Sequence, residues 1–293
     1  MDAPFDIAAL PTGVAMTLSP LVARVLAPNP SPFTFTGTQS YVVGREDVAV
    51  IDPGPADPAH ISALEAAIGG RPVTAIMCTH THRDHSPAAP RLGELTGAPI
   101  IGCAPLTLED DGPRADAAFD PDYVPDRVLL NGERVSGTDW TLEALATPGH
   151  TSNHLCFALI EEQALFTGDH IMGWSTSVVS PPDGDMAAYM RSMQLLVDRD
   201  DVIYYPAHGE PVDKPQRLAR SMMGHRRHRE GQIIRYLQGS GAAAIPDMVS
   251  EMYKGVDPRL YPAAGRSVLA HLIDLQARGL AREQAGQWEA VAA

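Results

Sequence analysis

The chain contains 293 residues, of which 44% are apolar, and it carries a formal net charge of −14. This composition excludes a disordered or fibrous chain and supplies enough apolar side chains for one large core and a smaller one, so we expect two domains. The three cysteines are an odd number without a C-x-x-C spacing, which argues against a disulfide framework and favours reduced, buried thiols.

The N-terminal segment argues against export. Residues 1–6 are acidic and interrupted by proline, whereas a secretory signal is basic and then apolar. No stretch of the chain approaches about 18 uninterrupted apolar residues, the length that a membrane-spanning helix needs. We therefore predict a cytoplasmic location without membrane contact, which makes a role in antibiotic resistance at the cell wall less favoured.

The first predicted helix follows Asp57-Pro58. The segment from His60 to Ile68 places apolar residues at helical spacing, and a proline suits the first helical turn. We predict that His60 lies on the surface of this helix. A strand is expected next, at the apolar run from Val73 to Cys78.

Four candidate metal ligands lie within six residues just after this strand: His80, His82, Asp84 and His85. Side chains two residues apart point to the same side of an extended segment, so His80 and His82 can bind one ion. The chain then turns towards a helix, so Asp84 and His85 diverge and can address a second ion. The spacing predicts half of a two-metal hydrolytic site rather than an exposed polar loop.

A site with two ions needs about seven protein ligands, so about three more must come from elsewhere in the chain. Three residues fit because each stands on a turn beside a predicted strand: His150, Asp169 and His208. His150 would complete a three-histidine set with His80 and His82. Asp169 could bridge both ions, and His208 would complete the second set.

Residues that flank these motifs are candidates for further roles. Trp174, Ser175 and Thr176 follow Asp169 closely and are predicted to contact substrate on a cleft wall, although an aromatic residue there is more often part of the core. His154 and His170 adjoin ligand motifs, where we expect them to support the ligands; donation of a proton to a leaving group is the alternative.

An acidic, proline-containing stretch covers residues 109–122. Loops longer than about 15 residues without structure of their own are uncommon in compact domains, and often functional when they occur. This stretch is therefore predicted to be either a lid at the edge of the cleft or a solvated insertion.

The C-terminal part predicts a small domain of helices. A long helix runs from Asp213 to about Leu237 and is followed by two more, Ile245–Tyr253 and Tyr261–Arg278, and by a hairpin around Gly286. We therefore divide the chain into a catalytic domain, residues 1–214, and a long linking helix with a winged-helix-like domain, residues 215–293.

Charge distinguishes between roles for this second domain. Residues 223–293 carry nine basic and seven acidic side chains, a net charge of +2, and the rest of the chain carries −16. That distribution is far from the footprint of a nucleic-acid-binding protein, so a packing module or a homodimer contact is favoured over DNA binding.

The four motifs, His-x-His-x-Asp-His, Gly-His, Gly-Asp and His-Gly, occur over residues 80–208 in an order that resembles the metallo-beta-lactamase fold superfamily. The resemblance implies an α/β fold, a four-layer αβ/βα sandwich that opens with a β-hairpin over residues 32–54. Within the superfamily, the chain resembles the beta-lactamase-like protein 2 group most specifically. This resemblance rests on residues 166–173, residues 226–232 and the small C-terminal domain. That group contains bacterial hydrolases of unsettled substrate and a mitochondrial single-strand endoribonuclease.

The resemblance also implies a division of the ligands. One zinc ion would be held by His80, His82 and His150, a second by Asp84, His85 and His208, with Asp169 between them, and Asp52 would support the ligands from behind. Diiron members typically place a glutamate where this chain has His82, which favours zinc, with iron and manganese as alternatives. The chain departs from the usual motifs of the family at two places, neither of which changes a ligand. It has Ser86-Pro87-Ala88-Ala89 where Ser-Gly-Gly is often found, and Pro206-Ala207-His208 where Pro-Gly-His is often found.

The expected chemistry is hydrolysis by a hydroxide shared between the two ions, with Asp84 orienting the attacking oxygen. The favoured reaction is cleavage of an ester, thioester, lactone or lactam bond in a cytoplasmic small molecule. One alternative is a phosphodiesterase or endoribonuclease on single-stranded RNA, motivated by the basic run Arg226–Arg229. The other is a winged-helix regulator that binds nucleic acid and senses a ligand through its metal site.

Overall fold

The computed structural model describes residues 11–106, 118–255, 257–258 and 261–291. The first sheet contains seven strands, which pair in chain order. Their bounds are β1 Ala15–Thr17, β2 Val22–Leu26, β3 Gln39–Val43, β4 Val48–Ile51, β5 Val73–Cys78, β6 Ile100–Gly102 and β7 Arg127–Val128. The pairs from β1 to β4 are antiparallel and those from β4 to β7 are parallel, so the carboxyl ends of β4 and β5 lie at one edge.

Two helices cover the outer face of this sheet: α1, Pro58–Ile68, and α2, Ala89–Thr96. The Asp57 carboxylate caps α1 by accepting from the backbone N–H of His60 at 2.9 Å. The prediction that His60 lies on the surface was wrong: its ring is fully buried, and its Nε2 lies 2.8 Å from the Ser40 hydroxyl.

The second sheet has the strand order β12-β11-β10-β9-β8. Its strands are β8 Arg134–Ser136, β9 Thr141–Ala146, β10 Leu155–Leu159, β11 Ala164–Gly168 and β12 Ile203–Pro206. A short 3-10 helix, Ile160–Glu162, follows β10, and α3, Met186–Val197, connects the parallel pair β11 and β12. All five residues of β10 and β11 are buried, as expected for strands covered on both faces.

The two sheets pack face to face. One apolar cluster contains Tyr41 from the first sheet, Phe157 and Phe166 from the second, and Leu64 from α1. A second cluster joins the other face of the second sheet to α3 and to the start of the next helix. These clusters produce the predicted four layers, helix–sheet–sheet–helix, and confirm the predicted fold class.

The C-terminal part consists of α4 Pro215–Ser240, α5 Ile245–Met252, α6 Tyr261–Ala277 and the hairpin β13 Ala281–Gln284 with β14 Gln287–Ala290. Three helices and a hairpin around their own apolar cluster confirm the winged-helix-like prediction. The helix α4 contributes Met222 to the second cluster and Ile233 to the third. The boundary between residues 214 and 215 therefore remains a prediction.

The three cysteines are free and buried, in agreement with the sequence. None of the helices in the described part of the chain combines the length and apolar character that crossing a bilayer requires.

Candidate metal centre

The chain places its seven predicted ligands where strands end. His80, His82, Asp84 and His85 follow β5, and the other three stand after β9, β11 and β12. The carboxyl ends of strands are where open α/β sheets position their ligands, and here two sheets present such ends to each other. All seven side chains are buried.

The first group of donor atoms comes from His80, His82, His150 and Asp169, and these atoms all lie within 4.8 Å of one another. Nδ1 of His82 lies 2.9 Å from Nε2 of His80 and 3.2 Å from Nε2 of His150. Oδ2 of Asp169 lies 3.7 Å from Nε2 of His150. Three imidazole nitrogens and one carboxylate oxygen around a common point match the donor set of a four-coordinate divalent ion.

The second group consists of Asp84, His85 and His208, with donor atoms again within 4.8 Å. Here the other oxygen of Asp169, Oδ1, lies 3.2 Å from Nε2 of His208 and 3.6 Å from Nε2 of His85. Asp169 thus directs one oxygen to each group, which is the arrangement that a bridging carboxylate requires.

Two buried atoms in this cluster are suited to contact a cation. Nε2 of His85 and Oδ1 of Asp169 form no well-aligned hydrogen bond among the described residues, although Asp84 and His208 respectively lie 3.2 Å from them. Buried polar atoms in folded proteins are nearly always hydrogen-bonded, so two such atoms among imidazoles and carboxylates suit a further partner. A divalent metal ion satisfies both atoms.

A network around Asp52 and Thr79 fixes which nitrogen of two histidines faces the centre. Nδ1–H of His85 donates to Oδ2 of Asp52 at 3.0 Å, and the Thr79 hydroxyl donates to the same oxygen at 2.8 Å. That hydroxyl in turn accepts from Nδ1–H of His80 at 3.0 Å. Both imidazoles therefore present Nε2 inward. Support of the ligands remains the predicted role of Asp52.

Backbone carbonyls orient two more histidines. Nδ1–H of His150 donates to the carbonyl of Val178 at 2.7 Å, and Nδ1–H of His208 donates to the carbonyl of Gly37 at 3.2 Å. Near the latter contact, the Thr38 hydroxyl donates to Oδ2 of Asp84 at 2.9 Å. The segment before β3 thus supports the second group from two consecutive residues.

His154 and His170 are both fully buried behind Asp169. The backbone N–H of Asp169 donates to Nε2 of His154 at 3.3 Å, so Nδ1–H of His154 donates to the Thr147 hydroxyl at 2.9 Å. The ring of His170 lies 4.7 Å from that of Tyr189. Support of the ligands remains the predicted role of both His154 and His170.

The two groups differ in their electrostatics. Burial lowers the pKa of His82 to about 3 and holds the pKa of His80 well below its usual range, so both rings are neutral, the form that binds metal. Burial also opposes the charge of His208, yet Asp169 and Asp84 outweigh it and raise its pKa to about 10. In protein stripped of metal, His208 is therefore an imidazolium paired with carboxylates.

The same balance governs the carboxylates. Burial acts to raise the pKa of Asp84 and of Asp169, but neighbouring His85 and His208 outweigh it and hold both pKa values well below the usual range. Both carboxylates are ionised, as metal ligation requires.

The predicted cleft residues lie beside this centre. Trp174 is 39% exposed and stacks on Phe35 with ring centroids 4.7 Å apart. Trp174, Ser175 and Thr176 line a cavity whose opposite wall is α4. Their contact with substrate remains a prediction.

Some residues near the centre carry no local sequence signal. Phe119 stacks on the ring of His82, with centroids 4.9 Å apart and planes inclined by 26°. It belongs to the acidic stretch 109–122 predicted as a lid or insertion, of which residues 109–117 lie outside the described residues. An aromatic ring on a ligand could be found only from the folded chain.

Arg226, counted in the sequence as part of a basic run, is buried. Its guanidinium donates to the carbonyl of Ser177 and lies 5.4 Å from the centre of the Tyr189 ring. Ser177 precedes Val178, whose carbonyl accepts from His150. Arg226 therefore connects α4 to the segment that orients a predicted ligand.

Comparison with known families agrees with this geometry. The model of the metallo-beta-lactamase superfamily matches residues 33–208. The chain belongs to the metallo-beta-lactamase superfamily. The model of the beta-lactamase associated winged helix domain matches residues 244–288, which confirms the predicted combination of domains. The chain is accordingly an enzyme of a hydrolase superfamily whose members bind divalent metals.

Two curated relatives extend over most of the chain. An atrochrysone carboxyl ACP thioesterase from Aspergillus chevalieri is 33% identical over 248 residues, which cover 80% of this chain and 74% of the relative. One from Claviceps purpurea is 31% identical over 245 residues, covering 80% and 73%. Among solved structures, a beta-lactamase domain protein from Burkholderia ambifaria has a TM-score of 0.80 at 18% identity, covering 98% of this chain and 97% of that chain. The last similarity concerns the fold alone.

Proposed function

We propose that this protein is a dinuclear zinc hydrolase that cleaves the thioester bond of a cytoplasmic acyl compound. The observation that carries the proposal is the pair of buried donor groups that share Asp169, one oxygen to each. Five imidazoles and two carboxylates form a donor set that suits zinc, which accepts nitrogen and oxygen ligands in low coordination numbers.

The choice of a thioester among the predicted bonds rests on the relatives. Two of them, at 33% and 31% identity over 80% of this chain, are named atrochrysone carboxyl ACP thioesterases. A thioester carbonyl needs only an activated water for its hydrolysis, so no nucleophilic side chain has to be present. The buried thiols agree with this, because burial raises the pKa of Cys103 and Cys156 to about 12 and keeps both protonated.

The chemistry can be divided between cofactor and chain. When bound, the two zinc ions lower the pKa of water and polarise the thioester carbonyl. In this proposal Asp84 faces the attacking water; its side chain is 12% exposed, against 8% for that of Asp169. As an ionised carboxylate, Asp84 can only accept hydrogen bonds. It can therefore accept one from an attacking water and so orient that water. The Thr38 hydroxyl fixes its orientation.

Hydrolysis of RNA is the second candidate, and the basic run on α4 motivates it. Two of its arginines are engaged within the fold: Arg226 is buried, and Arg229 lies 4.1 Å from the centre of the Tyr253 ring. Within this run Arg227 is then the one exposed arginine that is left to bind phosphates, on a chain with a net charge of −14. The charge therefore favours the thioester.

A substrate panel on metal-reconstituted protein tests the proposal. Protein stripped of metal is loaded separately with zinc, iron(II) and manganese(II) and assayed on an acyl thioester, a lactone, a lactam, bis-p-nitrophenyl phosphate and a single-stranded RNA. We expect the zinc form to hydrolyse the thioester with the highest kcat/KM. Turnover of the phosphodiester or the RNA in preference to the thioester would overturn the substrate class, and full turnover without metal would overturn the mechanism.

A further inference from the structure

A cavity of about 340 Å³ lies between residues 172–176 and the first half of α4. Its volume is near the lower end of the range for small-molecule sites, roughly 300–1,000 Å³. Met172 and Met222 are each 5% exposed and form part of its floor, whereas Ser221 and His225 are exposed at its mouth. We call it the α4 cavity.

The α4 cavity adjoins the second group of metal ligands. The backbone N–H of Gly173, which lines the cavity, donates to the carbonyl of His208 at 2.8 Å. Trp174 stacks on Phe35, and the chain that follows Phe35 supplies the Gly37 carbonyl that accepts from His208. One wall of the cavity is thus built on the same backbone that orients a ligand.

The chemistry of the lining selects an apolar guest. Trp174, Leu218 and the two methionines are its apolar lining residues, and Ser175, Thr176, Ser221 and His225 add hydroxyls and an imidazole. No Asp, Glu, Lys or Arg occurs among the described residues that line the cavity. A charged group would therefore lose water there without gaining an oppositely charged partner. Methionine side chains are flexible and polarizable, so they adapt to chains of different length.

We propose that the α4 cavity binds the aliphatic part of the acyl group, a straight chain of medium length, while the thioester lies at the metal centre. This inference rests on the proposed function and names its substrate class more closely. The backbone contact between Gly173 and His208 sets the cavity beside the second group of ligands, so a chain bound there would extend from a thioester held at the metal centre.

A series of straight-chain acyl thioesters of N-acetylcysteamine, from acetyl to dodecanoyl, tests this on the zinc-loaded protein. Each methylene buried in the cavity should raise kcat/KM by roughly threefold to fourfold until the cavity is full. The comparison is the ratio of kcat/KM for the decanoyl substrate to that for the acetyl substrate, which cancels changes in the chemical step.

The variant Ser221→Trp fills the mouth of the cavity from an exposed position. We expect it to lower the decanoyl-to-acetyl ratio at least tenfold, through KM. The control is Gly224→Trp on the same helix, where an added Cβ meets no atom within 4 Å and which does not line the cavity. It should keep the wild-type ratio. Zinc content and thermal unfolding confirm that both variants are folded and loaded.

The outcomes separate this inference from the proposed function. If the wild-type protein hydrolyses thioesters with no dependence on chain length, or if Ser221→Trp keeps the ratio, the cavity does not bind the chain. If no thioester is hydrolysed, the proposed function fails. Calorimetric titration with decanoate then tests whether the cavity binds an acyl chain. Binding that is weakened by Ser221→Trp but not by Gly224→Trp supports an acyl site; equal binding in all three proteins contradicts it.

Discussion

Oδ2 of Asp52 lies 3.0 Å from Nδ1 of His85, so a carboxylate outside the ligand set determines which nitrogen of this imidazole faces the second metal group. Asp52 has a φ of 46°, a conformation that is uncommon for residues other than glycine. The backbone N–H of Thr79 donates to its Oδ1 at 2.8 Å and helps to hold it there. The end of β4 thereby orients the ligand segment that follows β5.

The variant Asp52→Asn tests this contact. It keeps the shape of the side chain but removes the charge, so we expect the affinity for the second zinc ion to fall about 10-fold to 100-fold. Competition with a chromogenic chelator measures the affinity. Asp139→Asn, which removes a carboxylate that pairs with exposed Arg45, is the control and should bind zinc like the wild type. Equal affinities in the two variants would show that Asp52 does not support the site.

A second prediction concerns Arg226 and its neighbour Arg227. Arg226→Met leaves the buried carbonyl of Ser177 without its donor, which should lower the free energy of unfolding by about 1–3 kcal/mol. Zinc occupancy should fall too, because Val178, which follows Ser177 in the chain, orients His150. Arg227 is exposed, and Arg227→Met should change stability by less than about 0.5 kcal/mol. Urea unfolding compares the two, and similar losses would contradict the assignment.

The electrostatics of the second group predict proton release on metal binding. The pKa of His208 rises from 6.5 to about 10, so this ring is charged at neutral pH until zinc displaces the proton. Calorimetric titration with zinc at pH 7.5, in two buffers of different ionisation enthalpy, should show release of at least one proton. Binding enthalpies that do not depend on the buffer would refute the prediction.

The raised pKa of His208 also determines how the stability of metal-stripped protein changes with pH. A raised histidine pKa contributes stability that is fully present below about pH 6.5, the unfolded value, and is lost as the pH rises through about 10. Its contribution should therefore decline between pH 6.5 and 10. His208→Gln should flatten this decline in urea unfolding, and an unchanged pH profile in the variant would contradict the charge assignment.

The candidate ligands could be proposed from the sequence because each stands on a turn punctuated by Pro or Gly beside an apolar strand, a pattern that is local in the chain. The burial of His60, which we predicted to be on the surface, could also have been recognised from a local pattern. His60 and Leu64 are four residues apart and so share one face of α1, and both are fully buried. A helix covered by a sheet buries whichever side chains occupy that face, polar ones included.

Long-range contacts explain the rest. Phe119 on His82, Phe35 on Trp174 and the guanidinium of Arg226 on Ser177 each join segments more than 30 residues apart. No spacing rule connects such positions, and a buried arginine in a basic run looks like a solvated one until packing is known. The partners of ligands are thus less predictable than the ligands themselves.

The central claim is that two ions bind to two donor groups joined by Asp169, and zinc stoichiometry tests it most directly. Equilibrium dialysis followed by elemental analysis should find two zinc ions per chain in the wild-type protein. In Asp169→Asn, which loses the bridging charge, we expect at most one ion at the same free zinc concentration. A single ion in the wild type, or two equally tight ions in Asp169→Asn, would contradict the account.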